Sequence, residues 1–293
     1  MKVTLLGTGC PQCDPDRLGP ASLVEVGSRR ILIDVGSGAT QRLVSAGSGG
    51  ADLDAVLLTH LHSDHIVDLF QLVISSWHQG RDRPQRIYGP KGTRRFVEGM
   101  MALWRPELEQ RIAHEIRPST AALEVEVTEI AEHGGDVLRL DDLRVRAVPV
   151  DHFPVKDAYG FAVEGGGRRA VFSGDTAPCP ALIAAACGAD LLVHECFIHG
   201  IMRPEPGRRS EAGLANIARY HTASTDIGRI AAEAGVRCLM LNHFVPTRFD
   251  KDGVLADVRR DYRGPLLVGE DLMSIDLATS VVSHAGARIG LAL

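Results

Sequence analysis

The sequence predicts one α/β domain across residues 1–293, and three observations predict it. Short apolar runs rich in Val, Ile and Leu recur along the chain. Other segments place apolar residues at helical spacing, and no Pro/Ser-rich linker or short fixed period divides the sequence. The runs at 3–6, 22–26, 31–35, 55–58, 145–150, 170–172, 190–193 and 238–241 are too short for ordinary helices and read as strands. Gly-containing turns join the early ones, which are expected to pair as antiparallel or mixed neighbours. Ile66, Leu69, Phe70, Val73, Ile74 and Trp77 form one helical stripe. Phe96, Val97, Met100, Met101 and Trp104 form a second, which Pro106 is expected to stop. Thr222 is placed to cap a helix carrying Ile227, Ile230, Ala231 and Ala234, and Gly235 to end it. Segments 81–86 and 200–213 read as loops, the second long enough to be a lid.

Composition narrows the classes of partner. With 45% hydrophobic and 24% charged residues, a chain of this length buries about 75% of its unfolded surface, so its core needs neither disulfide nor metal. The 32 Lys+Arg against 37 Asp+Glu leave a net charge of −5, with no general positive field. Nucleic acid and anionic membrane are therefore not expected partners. The longest uncharged run, 176–189, is too short to span a bilayer, and the N-terminus lacks a signal-like apolar stretch. The expected location is the cytoplasm. Cys10 and Cys13 form a C-x-x-C with no second copy, and read as two reduced loop thiols. The apolar stripes at 66–77 and 96–104 raise the expectation of a homodimer.

The chemistry concentrates in Thr59-His60-Leu61-His62-Ser63-Asp64-His65, directly after the apolar run 55–58. Three imidazoles and a carboxylate so close together are costly to bury without a purpose. Strand alternation sends His60 and His62 to one side, and the turn that follows lets Asp64 and His65 face a second point. That arrangement suits two metal ions better than one.

H-x-H-x-D-H after a strand resembles the signature of the metallo-β-lactamase superfamily, and later segments follow in that family's order. Val148-Pro149-Val150-Asp151-His152 gives a histidine at a strand end, Phe172-Ser173-Gly174-Asp175-Thr176 a G-D-T carboxylate, and Leu239-Met240-Leu241-Asn242-His243-Phe244 a final histidine. The likeness begins at Leu5-Leu6-Gly7-Thr8-Gly9 and Ile33-Asp34-Val35-Gly36. It implies a four-layer αβ/βα sandwich with the metal site at one edge. By the same resemblance His60, His62 and His152 hold one Zn2+, Asp64, His65 and His243 a second, and Asp175 bridges them with a hydroxide. Mn2+ or Fe2+ remain alternatives. Asp175 stands where the best-known β-lactamases carry a thiolate, and His62 where the di-iron members carry Glu, so antibiotic hydrolysis and redox chemistry are not expected.

Val193-His194-Glu195-Cys196-Phe197, Tyr220-His221-Thr222-Ala223-Ser224 and Ile87-Tyr88-Gly89-Pro90-Lys91-Gly92 resemble motifs of the ribonuclease Z and arylsulfatase-like branch. The resemblance implies that Glu195 holds His221, which serves the leaving group, while Asp64 orients or accepts the proton of the attacking group. Ribonuclease Z proper carries a tRNA-gripping arm between the third histidine motif and G-D-T. Here His152 and Asp175 stand only 23 positions apart (175 − 152), which leaves no room for one. The expectation is therefore a dinuclear zinc hydrolase of small phosphodiesters or sulfate esters, with nucleic acid an unlikely partner. A lactone or thioester hydrolase, a tRNA 3′-processing endonuclease and a catalytically silent ligand-binding protein stand as alternatives. Arg208 and Arg209, in the 200–213 loop between Glu195 and His221, are the expected contacts to an anionic substrate.

Overall fold

Alternation along the strands accounts for the layers. In β1 (Lys2–Gly7), Val3 and Leu5 face one side and Leu6 the other. In β2 (Ala21–Val26) and β3 (Arg29–Ile33), Val24 and Ile31 stand in the same way against Leu23 and Leu32. A sheet apolar on both faces must be covered on both. The computed structural model, which describes residues 1–207 and 209–292, covers one face with a second sheet and the other with helices.

The later strands are β4 (Ala55–Leu57), β5 (Gln85–Gly89), β6 (Val125–Glu129), β7 (Gly135–Leu140), β8 (Leu143–Pro149), β9 (Tyr159–Gly165), β10 (Arg168–Phe172), β11 (Leu191–Phe197), β12 (Leu239–Val245), β13 (Leu266–Val268), β14 (Ser274–Asp276), β15 (Val281–His284) and β16 (Ala287–Gly290). The first sheet runs β16-β15-β14-β1-β2-β3-β4-β5-β6 and the second β13-β12-β11-β10-β9-β8-β7. Val3, Ile33 and Leu57 meet Val145, Phe161, Val193 and Met240 between them. The helices are α1 (Ala39–Ser45), α2 (Ser63–Ile66), α3 (Leu69–His78), α4 (Thr93–Glu115), α5 (Pro180–Ala186), α6 (Glu211–Arg219), α7 (Ser224–Ala234) and α8 (Lys251–Arg259). Leu43, Leu72 and Val97 of α1, α3 and α4 cover the first sheet. Leu182, Ile230 and Val258 of α5, α7 and α8 cover the second. The layering is the expected αβ/βα. Among the described residues no helix is long and apolar enough to cross a membrane.

Strand direction places the site. β3 and β4 are parallel, and so are β10, β11 and β12. β8 and β10 both lie antiparallel to β9, so β8 runs with β10. The carboxyl ends of these strands emerge along one edge.

Several local expectations give way to tertiary context. Pro106 does not end its helix, because α4 continues through it to Glu115. An interior proline costs ~3 kcal/mol of helix stability. Arg111, one turn on, pairs with both Glu107 and Glu115 and works in the opposite direction. The stripe from Ile66 to Trp77 is not one helix. The Asp68 amide donates to the Val35 carbonyl at 3.1 Å, and α3 starts afresh with Asp68 as its N-cap. Leu69, Leu72, Val73 and Trp77 are buried within the chain, so α3 offers no free apolar stripe to a homodimer. Leu103 and Trp104 of α4 are exposed, and Trp104 stacks on Phe70 at 4.3 Å. Thr222 does not cap α7 either. Its hydroxyl donates to the Thr176 carbonyl at 2.6 Å and Ala223 takes the cap position, while Gly235 ends the helix as expected.

Segment 81–86 is anchored at its start rather than merely solvated. Arg81 is buried, and its guanidinium donates to the carbonyls of Leu53 (2.8 Å), Arg83 (2.9 Å) and Pro84 (2.6 Å). Burial pushes its pKa down to about 10. The residue therefore clips the segment that leads into β4 to the turn before β5. Arg81→Met leaves those buried oxygens without donors and is expected to lower stability by about 3 kcal/mol. Urea unfolding reads this as a lower midpoint at unchanged slope, and a loss under about 1 kcal/mol contradicts the clip.

Candidate metal centre

Six strand ends deliver the polar cluster. Thr59 to His65 follow β4, Asp34 follows β3, His152 follows β8 and Asp175 follows β10. Glu195 lies in β11 and His243 in β12, while His221 precedes α7. Two of these hold left-handed backbone, Asp34 at φ 59° and His243 at φ 42°. Such conformations are uncommon for residues with a Cβ and cluster at functional sites. Gly174, at φ 60°, shows why the residue before Asp175 lacks a side chain: a Cβ there would lie 2.7 Å from the Tyr159 carbonyl oxygen.

Asp175 sits at the centre. Its Oδ2 lies 3.4 Å from Nε2 of both His65 and His243, and 3.9 Å from Nε2 of His60. Asp64 Oδ2 lies 3.3 Å from His243 Nε2 and 3.6 Å from His65 Nε2. On the other side, His152 Nε2 stands 3.2 Å from His62 Nδ1. The donors thus form two groups that could each hold a metal ion, His60–His62–His152–Asp175 and Asp64–His65–His243. The structure brings together all seven residues expected from the sequence.

The imidazoles are aimed by partners on their far sides. His152 Nδ1 donates to the Tyr220 carbonyl at 2.8 Å. His65 Nδ1 donates to Asp34 Oδ2 at 2.8 Å. His60 Nδ1 donates to Thr59 Oγ1 (3.0 Å), which itself donates to Asp34 Oδ2 (2.8 Å). One carboxylate therefore sets the ring orientation of two histidines and turns both Nε2 atoms inward, as metal ligation requires. Sequence reasoning used Asp34 only as part of a resemblance. The available signal is a carboxylate ending a fully apolar strand, where it needs a buried partner. Tyr220 acts through its backbone and left no signal.

The chemistry of the donors fits a cation. His60 Nε2, His65 Nε2 and Asp175 Oδ1 are buried with no hydrogen-bond partner. Burial, with His65 beside it, drives the His60 imidazole well below its usual pKa, and burial takes His152 down to about 4. Both rings are thus neutral, the form that ligates. Burial opposes ionisation of Asp175, but His243 and His65 hold it well below the usual carboxylate range.

His221 and Glu195 form a separate unit. Glu195 is buried and accepts the Thr176 amide at 2.7 Å and His221 Nδ1 at 2.8 Å. Burial pulls the His221 pKa down, and the Glu195 carboxylate outweighs it, raising it to about 9. His221 Nδ1 is also 4.0 Å from Asp175 Oδ2, and Asp175, His221 and His243 make a third group able to hold an ion. Arg209 makes no side-chain hydrogen bond or ion pair with the cluster among the described residues. It exchanges backbone hydrogen bonds with Glu205 and lines a surface hollow with Pro204 and Ser210. Arg208 lies outside the described residues.

Elemental analysis of the purified protein is expected to find about two divalent ions per chain, because seven ligands exceed what one tetrahedral ion uses. A single ion at full occupancy contradicts the two-group geometry. Asp34→Asn is expected to weaken metal binding about 10–100-fold without removing a ligand, read by chelator competition. Unchanged affinity contradicts the orienting role of Asp34.

Comparison with known proteins places this geometry. Residues 29–244 match the beta-lactamase superfamily domain. A protein named Ribonuclease Z from Mycobacterium marinum is 38% identical over 282 residues, covering 94% of this chain and 99% of its own length. One of the same name from Mycobacterium bovis is 37% identical, covering 94% and 98%. Among solved structures, the short form of human tRNase Z superposes with TM-score 0.72 at 22% identity, over 94% of this chain and 99% of its own. A metallo-beta-lactamase fold protein from Bacillus subtilis does so with TM-score 0.71 at 20% identity, over 93% and 97%. The expectation of a small ester substrate and no nucleic-acid partner is overturned by these relatives. Proteins named Ribonuclease Z match over almost their whole length, so the 23-position spacing and the net charge of −5 do not by themselves exclude RNA. The αβ/βα layers, the convergent histidines and aspartates and the near full-length relatives agree: the chain belongs to the beta-lactamase superfamily, as a hydrolase whose curated relatives are named ribonuclease Z.

Proposed function

We propose that the protein is a ribonuclease Z, a metal-dependent phosphodiesterase that cuts precursor tRNA. The observation that carries this reading is the near full-length likeness to proteins of that name in a chain that also presents two ligand groups beside a held histidine. His60, His62 and His152 would hold one ion, Asp64, His65 and His243 the other, with Asp175 between them. Zinc is the ion that imidazole and carboxylate donors suit, with manganese or iron as alternatives. When bound, such a pair supplies positive charge against the anionic ester and acidifies a shared water.

The chain's own residues supply the proton handling. Glu195 occupies His221 Nδ1, so Nε2 is the nitrogen left to meet the substrate. A ring held protonated by a buried carboxylate is suited to give its proton to the leaving oxygen. Asp64 is also held ionised, because His243 and His65 outweigh the burial that opposes it. It can orient the attacking group or take its proton. The Tyr220 carbonyl ties His152 to the residue next to His221, so the ligand and the acid share one support.

His221→Ala is expected to keep its metal and to cut precursor tRNA about 10²–10⁴-fold more slowly. The deficit is expected to shrink on an aryl phosphodiester, whose leaving group needs no proton. Loss of metal in this variant assigns His221 to the ligands instead. Wild-type protein that leaves precursor tRNA intact while turning over the aryl diester rejects the ribonuclease reading.

A further inference from the structure

The second sheet carries a row of charge that appears only on folding. Residues paired directly across antiparallel strands share a face. Arg139 of β7 stands opposite Arg144 of β8, Arg144 opposite Glu164 of β9, and Glu164 opposite Arg169 of β10. Leu143 and Val145, on either side of Arg144, point into the core between the sheets. The row therefore lies on the outer face, three cations to one anion. Beside it, between the strands and α5, runs an open cleft of about 560 Å³ whose charged walls are Arg144, Arg146 and Arg169 with His133, against Asp136 and Glu164. Pro149 also lines it, three residues before His152.

Two features separate this row from ordinary solvated charge. Like charges directly opposite each other destabilise a sheet, yet Arg139 and Arg144 are so placed. Neither has an ion pair or side-chain hydrogen bond among the described residues. Glu164, between Arg144 and Arg169, is not in an ion pair with either. Only Arg169 is engaged, through the Cys187 carbonyl. Planar guanidinium groups in a line are matched by a chain of phosphates. Four strands span about 14 Å, and Arg144 lies about 17 Å along β8 from the strand end at the metal centre. An anion reaching from one to the other is a polymer.

We infer that this cleft binds the phosphate backbone of the RNA substrate on the far side of the scissile bond, supplying at a distance the cationic grip that net charge and the missing arm do not. The inference rests on the ribonuclease reading above and extends it to a second contact surface. It makes the arginine row matter for long RNA and not for small diesters.

The test compares wild type with Arg139→Gln/Arg144→Gln on two probes, a precursor tRNA transcript and bis(p-nitrophenyl) phosphate. RNA affinity from filter binding at about 0.1 M salt is expected to fall roughly tenfold, and the slope of log affinity against log salt to drop by about 2. Small-diester turnover is expected to hold within about twofold, and the thermal midpoint not to fall, since the change removes a repulsion. Arg139→Lys/Arg144→Lys is expected to keep most of the binding. Unchanged RNA affinity and salt slope overturn the inference while leaving the ribonuclease reading intact. Wild-type protein that neither binds nor cuts the transcript removes that reading, and the inference with it. A fall in midpoint with equal losses on both probes assigns the row a structural role and overturns the inference too.

Discussion

Imidazoles and carboxylates cannot be gathered in a buried space without something to balance them. Transferring a polar group from water without a partner costs roughly 2–7 kcal/mol, and an unpaired charge costs more. Here seven such side chains face one another while several of their inward atoms have no hydrogen-bond partner. The outward nitrogens of His60, His65 and His152, in contrast, are tied down. Asp34 holds His65 and, through Thr59, His60, and the Tyr220 carbonyl holds His152. Satisfaction on the outside and its lack on the inside is the pattern of a site built around a cation. The rest of the molecule supports that geometry.

Support begins with strand direction. Parallel strands in both sheets send their carboxyl ends to the same edge, and the apolar layer between the sheets fixes one edge against the other. The ends are also bound to one another locally. The Tyr159 amide donates to the Thr59 carbonyl at 2.9 Å, linking β9 of one sheet to the histidine turn of the other. His243 itself sits in left-handed backbone, and the next residue, Phe244, donates its amide to the Thr8 carbonyl at 3.0 Å. Thr8 is in turn held through its amide and hydroxyl by Asp271, at 3.0 and 2.8 Å. Chain segments far apart in sequence therefore fix the last histidine from behind.

What the sequence disclosed follows from the range of the interactions involved. The clustering of His60, His62, Asp64 and His65 was legible because it is local: a dense run of His and Asp after an apolar strand has few other uses. The fold class was legible because both faces of β1 to β3 are apolar. Helix boundaries were less so. Pro106 sits inside α4, and Asp68 breaks the stripe at the start of α3 by turning its amide to Val35, a contact with no local signature. The strands after Leu241 are short, and three or four residues carry no readable period. Asp34, buried Arg81 and the arginine row share one cause. Each draws its meaning from partners on other strands or turns, and net charge over the whole chain averages such a row away. That averaging, with the 23-position spacing of His152 and Asp175, made RNA an unexpected partner.

The central claim is that the two ligand groups hold two ions with Asp175 between them. Anomalous diffraction at the zinc edge, from crystals grown with zinc, tests it most directly. Two peaks are expected a few ångströms apart. One should lie at about 2.0–2.2 Å from nitrogens of His60, His62 and His152, and the other at the same range from Asp64, His65 and His243. A single peak, or two that leave Asp175 outside both coordination spheres, would contradict the account.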